Sequence, residues 1–210
     1  MLISVVAGRI VPSFTRNWLV KRGHARLPSA HGPTDRIALA ILHTGLLSWA
    51  FLPNLRPIGL LLLLAATLNL WRLLRWCGLA TLAEPLLLIL HIGYAWLVLG
   101  TAVLGLAMLD SDLAQTAAIH ALTAGAIGTM TLAVMTRATR GHTGRDLSAD
   151  RITSLIYILV TLAAIARVVA AAAADWAMPL LITSACCWIA AFGSFVLWYG
   201  PMLLLPPETN

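Results

Sequence analysis

The chain has 210 residues, of which 60% are hydrophobic and only 10% charged, and its mean hydropathy is +0.88. A soluble domain carries about 25% charged residues, so a water-soluble enzyme is excluded, and the net charge of +6 belongs to loops beside apolar spans rather than to a nucleic-acid surface. Length and composition fit one bundle of helices embedded in a lipid bilayer, residues 1–210 forming a single domain. Cys77, Cys186 and Cys187 show no zinc, redox or haem-attachment spacing and read as inert apolar thiols.

Residues 1–12, MLISVVAGRIVP, are too short to cross a bilayer, which takes about 20 residues. They read as a partial N-terminal helix. No basic region precedes them and no cleavage site follows, so no signal peptide is expected. Residues 13–35 are basic and broken by Gly and Pro, the pattern of a cytoplasmic loop. Thr34 or Asp35 is placed to cap the span at 36–52, which contains His43. The next span, 58–76, is nearly pure Leu and Ala until Trp71, Arg72, Arg75 and Trp76, which read as an interfacial belt. Glu84 and Pro85 open the span 85–109, which holds His91; a proline at the first helical position loses nothing, its N–H being unpaired there anyway.

Asp112 and Gln115 have capping-box spacing for the following span. That span carries His120, and from Ala117 to Val134 it has no formal charge. Steps of three and four from His120 reach Thr123, Ala124, Gly128, Thr131 and Met135, a small and weakly polar face suited to close helix contact. His120 is therefore expected to point into the bundle. The last spans, 151–174 with Arg167 and 177–199, bring the expected fold to an all-α polytopic bundle of about six full transmembrane spans plus the partial first one. Alternation places the connections 13–35, 71–84 and 137–151 on one side, with nearly all the Lys and Arg; the other side holds Arg56, Asp110, Asp112 and Asp175. The positive-inside rule makes the basic side, and the C-terminus, cytoplasmic.

Polar residues inside spans cost a few kcal/mol and usually mark a site. Four stand out: His43, His91, His120 and Arg167. Neutral imidazole ligates haem iron and copper, and it also bonds across helices; both readings stand for three histidines on three spans. The spans lack the Asp or Glu expected of a proton pathway. His91 lies twenty residues before the turn at Ser111 and His120 nine after it, so their depths differ by roughly 16 Å and one iron could not easily take both. Arg167 either snorkels outward or holds an anionic partner such as a propionate or Asp110. Arg137, Arg140 and Arg145 suit lipid headgroups ahead of an anionic cofactor group, and Met130 and Met135 read as packing ahead of soft ligands for Cu(I).

Three motifs, AGRIVPSFT at 7–15, LHIGYAWLVLG at 90–100 and HALTAGAIGTMTLAVMTRATRGHTGR at 120–145, resemble the NnrS family. The resemblance implies a multi-pass protein of the bacterial inner membrane that carries b-type haem and copper and is linked to nitric oxide and nitrosative stress. It implies His91 and His120 as the leading haem or metal ligands, and His142 in GHTGR as a further metal ligand. Family members are about twice as long, so this chain matches their C-terminal half. That length implies a shortened gene, a miscalled start codon, or a separate chain or second copy (a homo-oligomer) that completes the bundle. Two other readings remain at this point: a transporter or channel with histidines lining a polar path, and a partner subunit that binds nothing itself. Nothing in the sequence indicates turnover.

Overall fold

In a computed structural model, which describes residues 1–110 and 115–204, the chain forms seven helices and, among the described residues, no strand. They are α1 (Leu2–Lys21), α2 (Pro33–Phe51), α3 (Arg56–Leu74), α4 (Pro85–Leu109), α5 (Gln115–His142), α6 (Arg151–Ala170) and α7 (Ala177–Leu204). Five of them, α3 to α7, are long and apolar enough to cross a membrane. The span expected at 36–52 is present as α2, but Asp35, Arg36 and His43 make it more polar than those five.

α1 corrects one expectation. Residues 13–21 are not loop: the helix runs through Pro12 to Lys21, and the connection starts only at Arg22. Pro12 removes one backbone donor and frees the Gly8 carbonyl. The helix continues because its buried face, Ser4, Ala7, Gly8, Val11, Thr15 and Leu19, keeps helical spacing across the proline. Ser13, Arg16, Asn17 and Lys21 fall on the other, exposed face.

α4 sits at the centre, against α1, α3 and α5, and its leucine-rich first turns form the middle of the main core with Tyr94, Trp96 and Leu97. α3 and α4 approach through Gly59 and Gly105: a Cβ on either would lie 2.8 Å from the other's carbonyl oxygen. Small residues are what allow helix backbones this close in lipid. Every helix also turns some large apolar side chains outward, Phe51, Leu197 and Leu204 among the most exposed, as a lipid-embedded bundle requires.

The helix starts follow their local chemistry. Gly32, not Thr34 or Asp35, is the cap residue of α2, and the Asp35 carboxylate accepts from the Gly32 N–H at 2.9 Å. Glu84 caps α4 by accepting from the Leu86 N–H at 3.2 Å, and the same oxygen accepts from the Ala149 N–H at 3.0 Å. The capping box expected from Asp112 lies outside the described residues.

Two polar clusters tie the helices at the end of the bundle where α3 and α5 finish. In the first, Arg72, expected in the interfacial belt, is instead 1% exposed. It donates to Asp35 through Nε at 2.8 Å, and through Nη1 to Tyr94 at 2.7 Å and Asn69 at 3.1 Å. The Tyr94 hydroxyl donates to Asn69 at 2.6 Å, and Trp76 packs on Tyr94 at 4.5 Å. Burial of Arg72 and Trp76 follows from helix length: α2 and α3 form an antiparallel hairpin of 19 residues each, which sets Asp35 level with Arg72. Trp71 alone keeps the exposed, interfacial place. In the second cluster, Arg140 donates to Asp150 at 2.9 Å and to the Asp146 carbonyl at 2.9 Å. Trp198 donates to Asp150 at 3.1 Å, and Tyr199 meets Thr153 at 2.6 Å. Arg140 is thus spent on α6 and α7, not on headgroups.

Candidate functional site

The candidate ligands divide between two hollows. The first, about 770 Å³, lies among the end of α3, the turn after it and α4, with His91, Cys77, His24 and Arg26 in a lining that is otherwise mainly leucine and alanine. Its shape follows from the chain reversal after α3. Cys77 takes a left-handed conformation at φ 56°, and a short 3-10 turn, Gly78–Thr81, follows. Gly78 lies against the imidazole: a Cβ there would come 2.7 Å from His91 Cδ2, so only glycine leaves the ring its place.

His91 is 5% exposed. Its Nδ1 lies 3.0 Å from the Leu87 carbonyl one turn back, so Nδ1 carries the proton and donates. Nε2 then keeps its lone pair, with the Thr15 hydroxyl 3.5 Å away as a donor towards it and the Trp76 backbone also beside the ring. An imidazole whose Nδ1–H is fixed by a carbonyl has the tautomer of an Nε2 metal ligand, and here Nε2 would have to give up the long contact with Thr15 to take that role.

The second hollow, about 720 Å³, lies between α5, α6 and α7, where His120 and Arg167 face the same space with Ser184, Trp188 and Phe192. His120 is the last residue before α5 changes from α to π geometry over Ala121–Gly128. Such segments occur mostly as single-turn bulges and often at functional sites. Gly128, at the end of this stretch, lies directly against the Trp188 ring, where any Cβ would collide. Ser184 spends its hydroxyl on the Ala163 carbonyl at 2.8 Å. Thr123, Ala124, Gly128 and Thr131 line this hollow too, so the small face counted from His120 points into it as far as Thr131, while Met135 lines a different groove beside α1.

The structure therefore keeps His91 and His120 apart and gives each a hollow with a guanidinium, Arg26 in one and Arg167 in the other. His43 joins neither: its Nε2 meets the Ser4 hydroxyl at 2.9 Å, tying α2 to α1. His142 is exposed at the end of α5. Among the described residues, no three His, Cys, Asp or Glu side chains come together to hold a metal ion. Sequence reasoning missed His24, Arg26 and Cys77 as neighbours of His91. The left-handed turn that brings Cys77 to the hollow has no marker in the sequence, since glycine or asparagine is the usual residue there.

Long apolar helices around buried polar ties define a multi-pass helical membrane protein. A family model described as NnrS protein matches residues 1–206, and the chain belongs to that family. Membership ties this membrane protein to the response to nitric oxide. No curated protein and no solved structure matches it.

Proposed function

We propose that this protein acts in the nitric oxide response as a haem-binding protein of the bacterial inner membrane, with the basic end of the bundle and the C-terminus in the cytoplasm. The observation that carries the reading is His91: a buried imidazole, proton fixed on Nδ1 by Leu87, set in an apolar hollow of about 770 Å³. Hollows of this size and polarity suit cofactors. When bound, ferrous haem supplies an iron able to take nitric oxide.

The chain's own groups have definite tasks in this reading. Leu87 orients the ring, Gly78 makes room for it, and Leu73, Leu74 and Leu88 keep water away. Arg26 balances a propionate. His120 and Arg167 offer a second pair of the same kind. Copper fits less well: its donors would include His142 or His120 from this chain and others from a second chain or a second copy, and no step is routed through it. The channel reading draws on nothing comparable, since His43 is engaged with Ser4.

The test is the absorption spectrum of protein purified from haem-replete cells. A Soret band is expected. His91→Ala should abolish or shift it, and Gly78→Ala should shift it while keeping every imidazole. His43→Ala should leave it unchanged. A colourless preparation, or a band indifferent to both His91→Ala and His120→Ala, would refute the proposal.

A further inference from the structure

The seam between α1 and α5 holds two successive hollows that neither histidine uses. The first is an apolar groove of about 370 Å³, lined from α1 by Ile3, Val6 and Ile10 and from α5 by Met130, Val134 and Met135. The second follows at the end of the same seam. It is a polar hollow of about 920 Å³ with Arg16, Lys21, Arg22 and Arg137 in its wall, against the carboxylates of Glu84 and Asp146. Ile10 and Phe14 are one turn apart on α1, and Met135 and Arg137 two residues apart on α5, so the groove ends where the polar hollow begins.

Arg137 feels the Glu84 carboxylate across the polar hollow, but no side-chain ion pair closes between them. The ion pairs of Arg72 and Arg75 with Asp35 and of Arg140 with Asp150 involve none of its four cations. Arg137 instead lies over the Phe14 ring at 4.2 Å, bridging the seam, and Arg22 over Trp18 at 4.1 Å. Glu84 is buried, with an oxygen committed to two backbone amides. The hollow thus presents four cations, with a tryptophan of the kind found at headgroup level, directly beyond a groove with almost no polar surface.

We infer that the α1–α5 seam is a binding site for an anionic glycerophospholipid, its phosphate among Arg137, Arg22, Lys21 and Arg16 and an acyl chain in the groove beside Val6 and Met135. Basic hollows between helices at the cytoplasmic side bind headgroups of this class. The groove distinguishes a lipid from a free phosphate, because only a lipid fills both hollows. The inference stands apart from haem binding: loss of the Soret band would not touch it.

The test uses the full chain in detergent, with bound lipid counted by native mass spectrometry during titration with phosphatidylglycerol, phosphatidylcholine and inorganic phosphate. Phosphatidylglycerol should bind one per chain and resist displacement by inorganic phosphate, and phosphatidylcholine should bind more weakly. Arg137→Gln should weaken phosphatidylglycerol about five-fold, and Arg137→Lys should restore most of it. Val6→Trp, at an exposed position, should block the acyl groove without disturbing the fold. Equal binding of the two lipids, displacement by inorganic phosphate, or unchanged binding in Val6→Trp would each overturn the inference.

Discussion

Asp35→Asn tests the buried clamp at the start of α2. Asp35 and Arg72 side chains are 6% and 1% exposed and 2.8 Å apart. The substitution leaves the Arg72 guanidinium in place with Tyr94 and Asn69 as partners but no buried counter-charge. Removing one member of such a pair costs about 3–5 kcal/mol, mainly because the other stays buried and uncompensated. For a chain of this size that corresponds to a fall of about 10 °C in apparent Tm. Arg72→Met should cost less, because Arg75, half-buried and 3.8 Å from Asp35, can take over the carboxylate. The double variant Asp35→Asn/Arg72→Met removes both charges together, and its loss should fall well short of the sum of the two. The assay is loss of the far-UV helical signal on heating in detergent, for wild type, both singles and the double. A single Asp35→Asn within about 2 °C of wild type, or a double variant equal to the sum, would refute the argument.

Asp150 gives a pH prediction. Burial acts to raise its carboxyl, but bonds from the Thr153 amide and hydroxyl, Arg140 and Trp198 outweigh it and hold it at about 2, below the ordinary 3.8. Its contribution is complete above the unfolded value and fades as pH falls towards the folded one. The Tm gap between wild type and Asp150→Asn should therefore be constant above about pH 5 and close between about pH 4 and pH 2. Cys77→Gly should stabilise the chain by about 1 kcal/mol by relieving a left-handed non-glycine residue, measured as a raised Tm. His43→Ala should lower stability by about 1 kcal/mol through loss of the bond to Ser4, with no change in bound-cofactor absorbance.

The helical bundle was legible because apolar runs of spanning length admit few alternatives in lipid. Helix starts at Glu84 and in the 32–35 region were legible to within a residue or two. The extension of α1 past Pro12 was not, because the polar residues at 13–21 look like loop until the buried face is traced through Thr15 and Leu19. Arg72 was misplaced for a related reason. An arginine between tryptophans near a helix end looks interfacial, and only the matched lengths of α2 and α3 reveal the aspartate level with it. Among the candidate ligands, the separation of His91 from His120 followed from depth alone. The pairing of His120 with Arg167 did not, since it depends on how α6 lies against α5. Of Arg137, Arg140 and Arg145, expected to act alike, only Arg137 faces the α1–α5 seam; Arg140 is committed to Asp150.

The widened stretch Ala121–Gly128 makes the far half of α5 depend on how the near half is wound. Ordinary helical winding turns about 100° per residue. Excising a single residue there would let the rod rewind with its far end nearly in phase, but rewinding all eight without excision would swing everything beyond Thr129 about a third of a turn relative to His120. The imidazole facing Trp188 and the arginine reaching Asp150 could not then both keep their directions. The loosened winding acts as a phase adjuster, letting one continuous rod serve two unrelated faces of the molecule.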